Sequence, residues 1–435
     1  MTRLEQDSTG QVRVPKNVYY GAFTTRALEN FQISGMGAPE LFITALGLVK
    51  KASAMANMEL KTIPQKHAKA IIKAADEFLN GEYDDQFTLD VYQAGAGTPF
   101  NMNANEIIAN RANDLLGGKK GKYDPIHPNN QVNMGQSSND VIPTATRIAA
   151  LFSLDALLIE AQKLEKALNR KAKEFGKIKK VGRTHLQDAV PITLGREFAA
   201  YCAYVKRNIK RIEASAEELK ELGIGGTAVG TGINAHPKFA KTVIKHLSKM
   251  CGVRFKEAAN KFELISSHTA FLQMAGTLKS LATDLNKIAN DLKLLNSGPK
   301  AGLGEILLPE VQPGSSIMPG KVNPSIPECV TMIYAQVVGN ESAIEAACNE
   351  GHLELNTMCP VIMHNLLFSI GILTNGMNMF REKCIKDIKA NKENIKKYYE
   401  ESLCEATALV PKIGYEKTAK LVKEALRNGT KLKEL

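Results

Sequence analysis

The sequence predicts a mainly α fold in three parts: a mixed N-terminal domain (1–136), a central bundle of long helices (137–390) and a short C-terminal helical domain (391–435). Three observations predict it. Apolar residues recur at alternating spacings of four and three over long stretches that Pro does not interrupt. The aromatic content is 6% with no Trp, poor in the residues that sheets favour. The apolar segments before residue 137 are shorter and are broken by Gly and Pro.

In chain order, residues 1–136 carry turn-rich sequence such as GEYDDQ and GGKKGKYDPIHPNN, which separates short apolar runs. The first long helix follows, with Ala150, Leu154, Leu157, Ala161, Leu164 and Leu168 on one stripe. A second, expected over about 189–222, carries Phe198, Tyr201, Val205, Ile209 and Ile212. A third shows Phe271, Met274, Leu278, Leu281, Leu285, Ile288, Leu292 and Leu295, and no Pro lies between Pro237 and Pro299. Stripes this long and narrow suit helices that pack on other helices, so they read as core. The Lys-rich run KDIKANKENIKK opens the C-terminal part; its interspersed Asp, Asn and Glu make it a solvated helix face.

Composition removes several function classes. Net charge is +11, but the Lys residues sit beside Glu on amphipathic stretches rather than among aromatics, so nucleic-acid binding is not expected. A basic balance suits an acidic substrate. No apolar stretch approaches the roughly 20 residues of a membrane span, so no membrane partner is expected. The first residues, MTRLEQDSTG, resemble no leader, and the cytoplasm is the expected location. Seven Cys with no CxxC pair, and eight His with no HExxH, point to neither a disulfide framework nor a metal. No cofactor is expected.

Four polar segments could hold chemistry: GAGTPFNMNANE (95–106), GQSSNDVIPTA (135–145), GRTHLQDAVP (182–191) and GSSIMPGKVNPSIPE (314–328). Three of them carry an Asn or Asp followed by Pro (Asn139 and Pro143, Asp188 and Pro191, Asn323 and Pro324), the pattern of a helix start. A helix N-terminus offers free N–H groups and a positive dipole to a carboxylate. Ordinary capping loops look the same, so no single segment decides. The last is not a phosphate loop, because Ser315 stands where Gly is needed and Val322 where Ser or Thr is needed. GIGGTAVGTG (223–232) misses the dinucleotide spacing at Ala228. Within 314–328, Ser315 or Ser316 offers a hydroxyl, Lys321 a positive charge and Asn323 a neutral donor. Such a set could depress a hydroxyl pKa and hold the charge of a deprotonated carbon acid. His185 is the best-placed imidazole, and Glu328 a possible partner.

GSSIMPGKVNP, with VPKNVYYGAFTTRALENF, NMNANEIIANRA, HPNNQVNMGQSSND, GRTHLQDAVPITLGREF and GGTAVGTGINAHPKF in order, resembles the aspartase/fumarase superfamily over nearly the whole chain. The resemblance implies the three-domain fold of that family and a homotetramer with a twenty-helix core, its active sites each drawn from three subunits. It further implies anti elimination from a small dicarboxylate through an aci-carboxylate, without metal. Ser315 would be the base, Lys321 and Asn323 would stabilise the intermediate, and His185, supported by Glu328, would orient water or transfer a proton. Thr98, Ser137, Ser138, Asn139, Thr184 and Ser316 would bind substrate. His127, Pro128, Asn129 and Asn130 resemble a secondary dicarboxylate site, whose motif usually ends in Asp.

QSSNDV, NKFE (260–263) and ECVTMIYAQVVGN (328–340) are closer to class II, iron-independent fumarate hydratases, whereas Ala96 is the choice of aspartate ammonia-lyases. The implied reaction is therefore reversible hydration of fumarate, with aspartate deamination as the alternative. Phe100 is bulkier than the family usually has after GT, and reads either as packing or as a selectivity element.

Overall fold

A computed structural model describes residues 1–431. Its first element is a hairpin of β1 (Thr2–Asp7) and β2 (Gly10–Pro15). Helices follow at α1 (Ala22–Asn30), α2 (Glu40–Glu59), α3 (Gln65–Leu79), α4 (Thr98–Leu115) and α5 (Ser138–Glu174). A second hairpin, β3 (Lys179–Thr184) and β4 (Gln187–Thr193), leads into α6 (Leu194–Leu219). Then come α7 (Phe239–Cys251), α8 (Lys261–Ser266), α9 (Thr269–Leu295), α10 (Ser325–Asn349), α11 (Cys359–Lys383), α12 (Lys392–Glu401), α13 (Val410–Ile413) and α14 (Tyr415–Asn428). The remaining strands are two-residue pairings, Glu221–Leu222 with Lys256–Glu257 and Ile306–Leu307 with Lys389–Ala390.

The apolar stripes read from sequence are core. Leu157, Leu164 and Leu168 on α5, and Met274, Leu278, Leu281 and Ile288 on α9, are fully buried. Truncating one such Leu to Ala costs about 2–5 kcal/mol, because the removed methyls leave a space that neighbours fill only in part. Two helical segments, Ser138–Glu174 and Cys359–Asp387, are long and apolar enough to cross a membrane, which corrects the expectation that none is. Most of the apolar window of each is buried inside the protein, 67% and 56%, as core helices require.

The second helix expected from sequence starts later than 189. Residues 187–193 are β4, and α6 begins at Leu194. Pro191, taken as a first-turn residue, pairs with Val181 in a two-stranded hairpin, where an edge position tolerates its missing N–H.

Two compact units share the chain. One comprises Met1–Ala156, Ile212–Leu278 and Val338–Gly371. The other comprises Leu157–Arg211, Lys279–Val337 and Ile372–Leu435. In the first unit, α4 is a helix of buried polar residues. Asn113 exchanges two hydrogen bonds with the backbone of Ile126, at 2.7 and 2.9 Å. Glu106 accepts from the backbone N–H of Gly21, Phe23 and Thr24, satisfying the free donors at the start of α1. In the second unit, the base of the β3–β4 hairpin is held by Lys180, which meets Glu197 at 2.7 Å and Glu305 at 2.8 Å, and by Arg183 on Glu305 at 2.7 Å.

Candidate active site

In the first unit two helix starts meet. Thr98 opens α4 and Ser138 opens α5, and their hydroxyls lie 2.9 Å apart. Ser137 Oγ accepts from the Asn139 N–H at 3.2 Å, and Asn139 Nδ2 donates to the Ala228 carbonyl at 2.7 Å. Four of the residues expected to bind substrate, Thr98, Ser137, Ser138 and Asn139, are thus one cluster. Two helix dipoles and two hydroxyls converge there, an arrangement that favours a carboxylate.

Asp140 holds that cluster from below. Its carboxylate is buried and accepts from the N–H of Ser137 at 2.9 Å, of Gly225 at 2.9 Å and of Thr227 at 2.8 Å. Burial pushes its pKa up to about 7 even though these three bonds favour the charged form.

The second unit carries the groups expected to react. Thr184 ends β3, and His185 and Leu186 form the two-residue tip of the hairpin, exposed to solvent. Both tip residues have positive φ, 54° and 61°, which the tight turn demands and which side chains other than Gly adopt at a cost. The loop 314–323 precedes α10. The Gly314 N–H donates to the Lys321 carbonyl at 2.9 Å, and Asn323 Nδ2 donates to the Gly314 carbonyl at 2.5 Å. Asn323 therefore closes the loop rather than capping the helix. Ser315 Oγ accepts from the N–H of Ile317 at 3.2 Å and of Met318 at 3.0 Å. Two donors aimed at one hydroxyl oxygen favour its deprotonated form. Ser316 and Lys321 are exposed, and Lys321 forms no ion pair among the described residues. Glu328, in the first turn of α10, is also exposed, and no hydrogen bond joins it to His185 among the described residues.

A lyase family model matches residues 10–339, and a model of the fumarase C C-terminus matches residues 406–435. Fumarate hydratase class II 2 of Bradyrhizobium diazoefficiens is 50% identical, covering 100% of this chain and 92% of the relative. Aspartate ammonia-lyase of Bacillus subtilis is 47% identical, covering 100% and 91%. The crystal structure of class II fumarase from Schistosoma mansoni superposes with a TM-score of 0.98 at 38% identity, covering 100% of this chain and 94% of that one. The chain belongs to the aspartase/fumarase superfamily. It is a lyase with the mainly α fumarase fold, and class II fumarate hydratases are well represented among its relatives.

Phe100 is fully buried, its ring 5.5 Å from those of Phe42 and Phe87, so it is core packing. Ala96 is buried with φ 56°, and its N–H donates to the Thr357 carbonyl at 2.9 Å. In the segment 127–130, His127 precedes a single π turn (Pro128–Val132) and its Nδ1 accepts from the Asn129 N–H at 3.1 Å. Burial lowers the pKa of His127. Asn129 and Asn130 are exposed.

Sequence reasoning named Asn139 and passed over its neighbour Asp140, and it passed over Lys50. The signal for Lys50 was available: it falls on α2 four residues after the buried Leu46 and ahead of Ser53 and Asn57, all fully or nearly fully buried. A Lys on the core face of a helix is rare unless paired.

Proposed function

We propose that this lyase hydrates fumarate reversibly to L-malate, by anti addition and elimination through an aci-carboxylate intermediate. The observation that carries the reading is Ser315 Oγ with two backbone N–H groups directed at it, in a loop whose Lys321 is exposed and without an ion pair among the described residues. In the dehydration direction Ser315 removes a proton from the carbon beside a carboxylate. Lys321 and Asn323 stabilise the charge that moves onto that carboxylate. His185, with Glu328, orients the water or the leaving hydroxyl. Thr98, Ser137, Ser138, Asn139, Thr184 and Ser316 hold the substrate, and His127, Pro128, Asn129 and Asn130 form a secondary dicarboxylate site.

These groups act together in a homotetramer with shared sites in the cytoplasm. Supporting the assembly are the exposed positions of His185, Glu328 and Lys321 in the single chain. Five helices of 25 to 37 residues per chain, α5, α6, α9, α10 and α11, supply a central bundle. Their exposed apolar side chains include Ile159, Leu294, Met332 and Phe368. Light scattering checks the assembly: a mass near that of one chain, 47.4 kDa, contradicts it.

A second reading, release of ammonia from L-aspartate, is favoured by Ala96 and by relatives of that activity. Ultraviolet absorbance of the fumarate double bond separates the two. A rise with L-malate and not L-aspartate supports the hydratase; the reverse overturns it.

A further inference from the structure

Lys50 lies in the middle of α2, and none of its surface is exposed. Its Nζ donates to Asn101 Oδ1 at 2.6 Å, to Gln136 Oε1 at 2.9 Å and to Asn133 Oδ1 at 3.2 Å. An ammonium has three N–H donors and no acceptor, so three amide oxygens saturate it, whereas a neutral amine would turn a lone pair toward one of them. The acceptors are themselves cross-tied. Asn101 and Asn105 both donate to Asn133 Oδ1 at 3.2 Å, Asn133 donates to the Gln136 carbonyl at 3.2 Å, and Gln136 donates to the Val132 carbonyl at 2.9 Å. Burial pulls the Lys50 ammonium down to about 7, against the field of Asp140, the charged group that acts on it. Two other charges of α2 are occupied elsewhere, Lys51 with Asp76 at 2.5 Å and Glu59 with Lys245 and His246.

The three acceptors are not scattered. Asn101 stands three residues after Thr98, in the first turn of α4, and Gln136 immediately precedes Ser137 and the start of α5. Each bond in such a buried network holds its neighbours in place, and of these side chains only Asn105 Oδ1 is left without a partner. We propose that Lys50 is a positioning residue for substrate binding: through Asn101, Asn133 and Gln136 it holds the opening turns of α4 and α5 in the register that lets Thr98 and Ser138 grip one carboxylate. This rests on the fumarate hydratase reading only for the assay, because any small dicarboxylate meets the same grip. Substrate reaches Lys50 through the groups it holds, so loss of Lys50 weakens binding rather than the chemical step.

The test uses the full-length protein with Lys50→Met and Lys50→Arg, and measures succinate, an unreactive dicarboxylate, by calorimetry beside malate kinetics and a thermal melt. Lys50→Met is expected to weaken succinate binding about tenfold and raise KM for malate in proportion, with kcat kept within about threefold. Lys50→Arg, which restores a buried cation with several donors, is expected to recover most of that loss. Unchanged succinate binding in Lys50→Met overturns the proposal, as does a fall in kcat with KM unchanged. Should Lys50→Met fail to fold, Gln136→Leu removes one acceptor and leaves the lysine; it is expected to weaken succinate binding about threefold, and unchanged binding there overturns the proposal equally. Wild-type protein that binds succinate but never turns malate over would sink the hydratase reading and leave the role of Lys50 standing.

Discussion

The Thr98–Ser138 cluster of the first unit and the His185 and Ser315 segments of the second, both expected to carry chemistry, are built in opposite ways. Around Thr98 and Ser138, almost every supporting group is buried and cross-bonded, from Asp140 with three N–H donors to Lys50 with three amide acceptors. Around His185 and Ser315, the hairpin base is pinned by Lys180, Arg183 and Glu305, but the tip and loop residues 316–322 are exposed, with Ser315 half-buried. A binding pocket gains from rigidity that one chain can supply on its own. In the proposed tetramer, groups that share a site with other subunits are instead presented outward.

The contrast predicts that variants in the first region lose stability and variants in the second lose turnover. The largest effect is expected from Ser315→Ala, a fall in kcat on the order of 10³ or more, with melting temperature and light-scattering mass unchanged. Near-normal turnover would remove Ser315 from the base role. Next is Asp140→Ala, which strands three N–H groups, two of them in buried bonds. Chemical denaturation should show a loss of about 3–5 kcal/mol, and a loss under about 1 would break the contrast.

Acid should then act on the buried region in particular. His268 is buried against Cys359, with Nε2 2.9 Å from the sulfur, and burial holds its pKa down to about 4. The unfolded chain takes up that proton near pH 6.5 and the folded chain only near 4. Stability therefore stays intact above about 6.5 and declines by up to about 3 kcal/mol as pH falls to 4. Unfolding free energies measured across this window should flatten in His268→Gln.

A smaller effect is expected from His185→Asn. An imidazole that orients water is worth on the order of 10² in kcat, and a loss equal to that of Ser315→Ala would make it a proton-transfer group instead. The smallest is His127→Ala, with kcat unchanged and about 1 kcal/mol of stability lost with its bond to the Asn129 N–H. A large fall in kcat would bring the 127–130 turn into the main site.

The two regions were not equally legible in the sequence. The stripes on α5, α6 and α9 could be read because burial of one helix face leaves a period in the sequence, and all three stripes are core. The loop 314–323 could be read because small residues, a hydroxyl and a cation crowd one short segment. The hairpin was misread as a helix start, since Asp188 and Pro191 match a cap pattern and only the turn at His185–Leu186 reveals the strands. Asp140 and Glu106 escaped because their partners are mostly backbone N–H groups between 82 and 87 positions away, which no side-chain pattern announces, and Lys50 shows its core-face position in the sequence but not its partners, 51 to 86 positions away. Phe100 needed the rings of Phe42 and Phe87 beside it before packing could be told from selectivity.

The left-handed tip of the second hairpin bears on anyone who would make this enzyme more robust. Asn–Gly is the pair that such a two-residue turn prefers, and His185–Leu186 departs from it at both positions. A designer guided by local energetics would replace the pair and gain about 1–2 kcal/mol of hairpin stability. The same change deletes the imidazole. Thermostability screens that score folding alone should therefore enrich inactive proteins at this turn, and a library meant to keep activity should leave these two codons fixed.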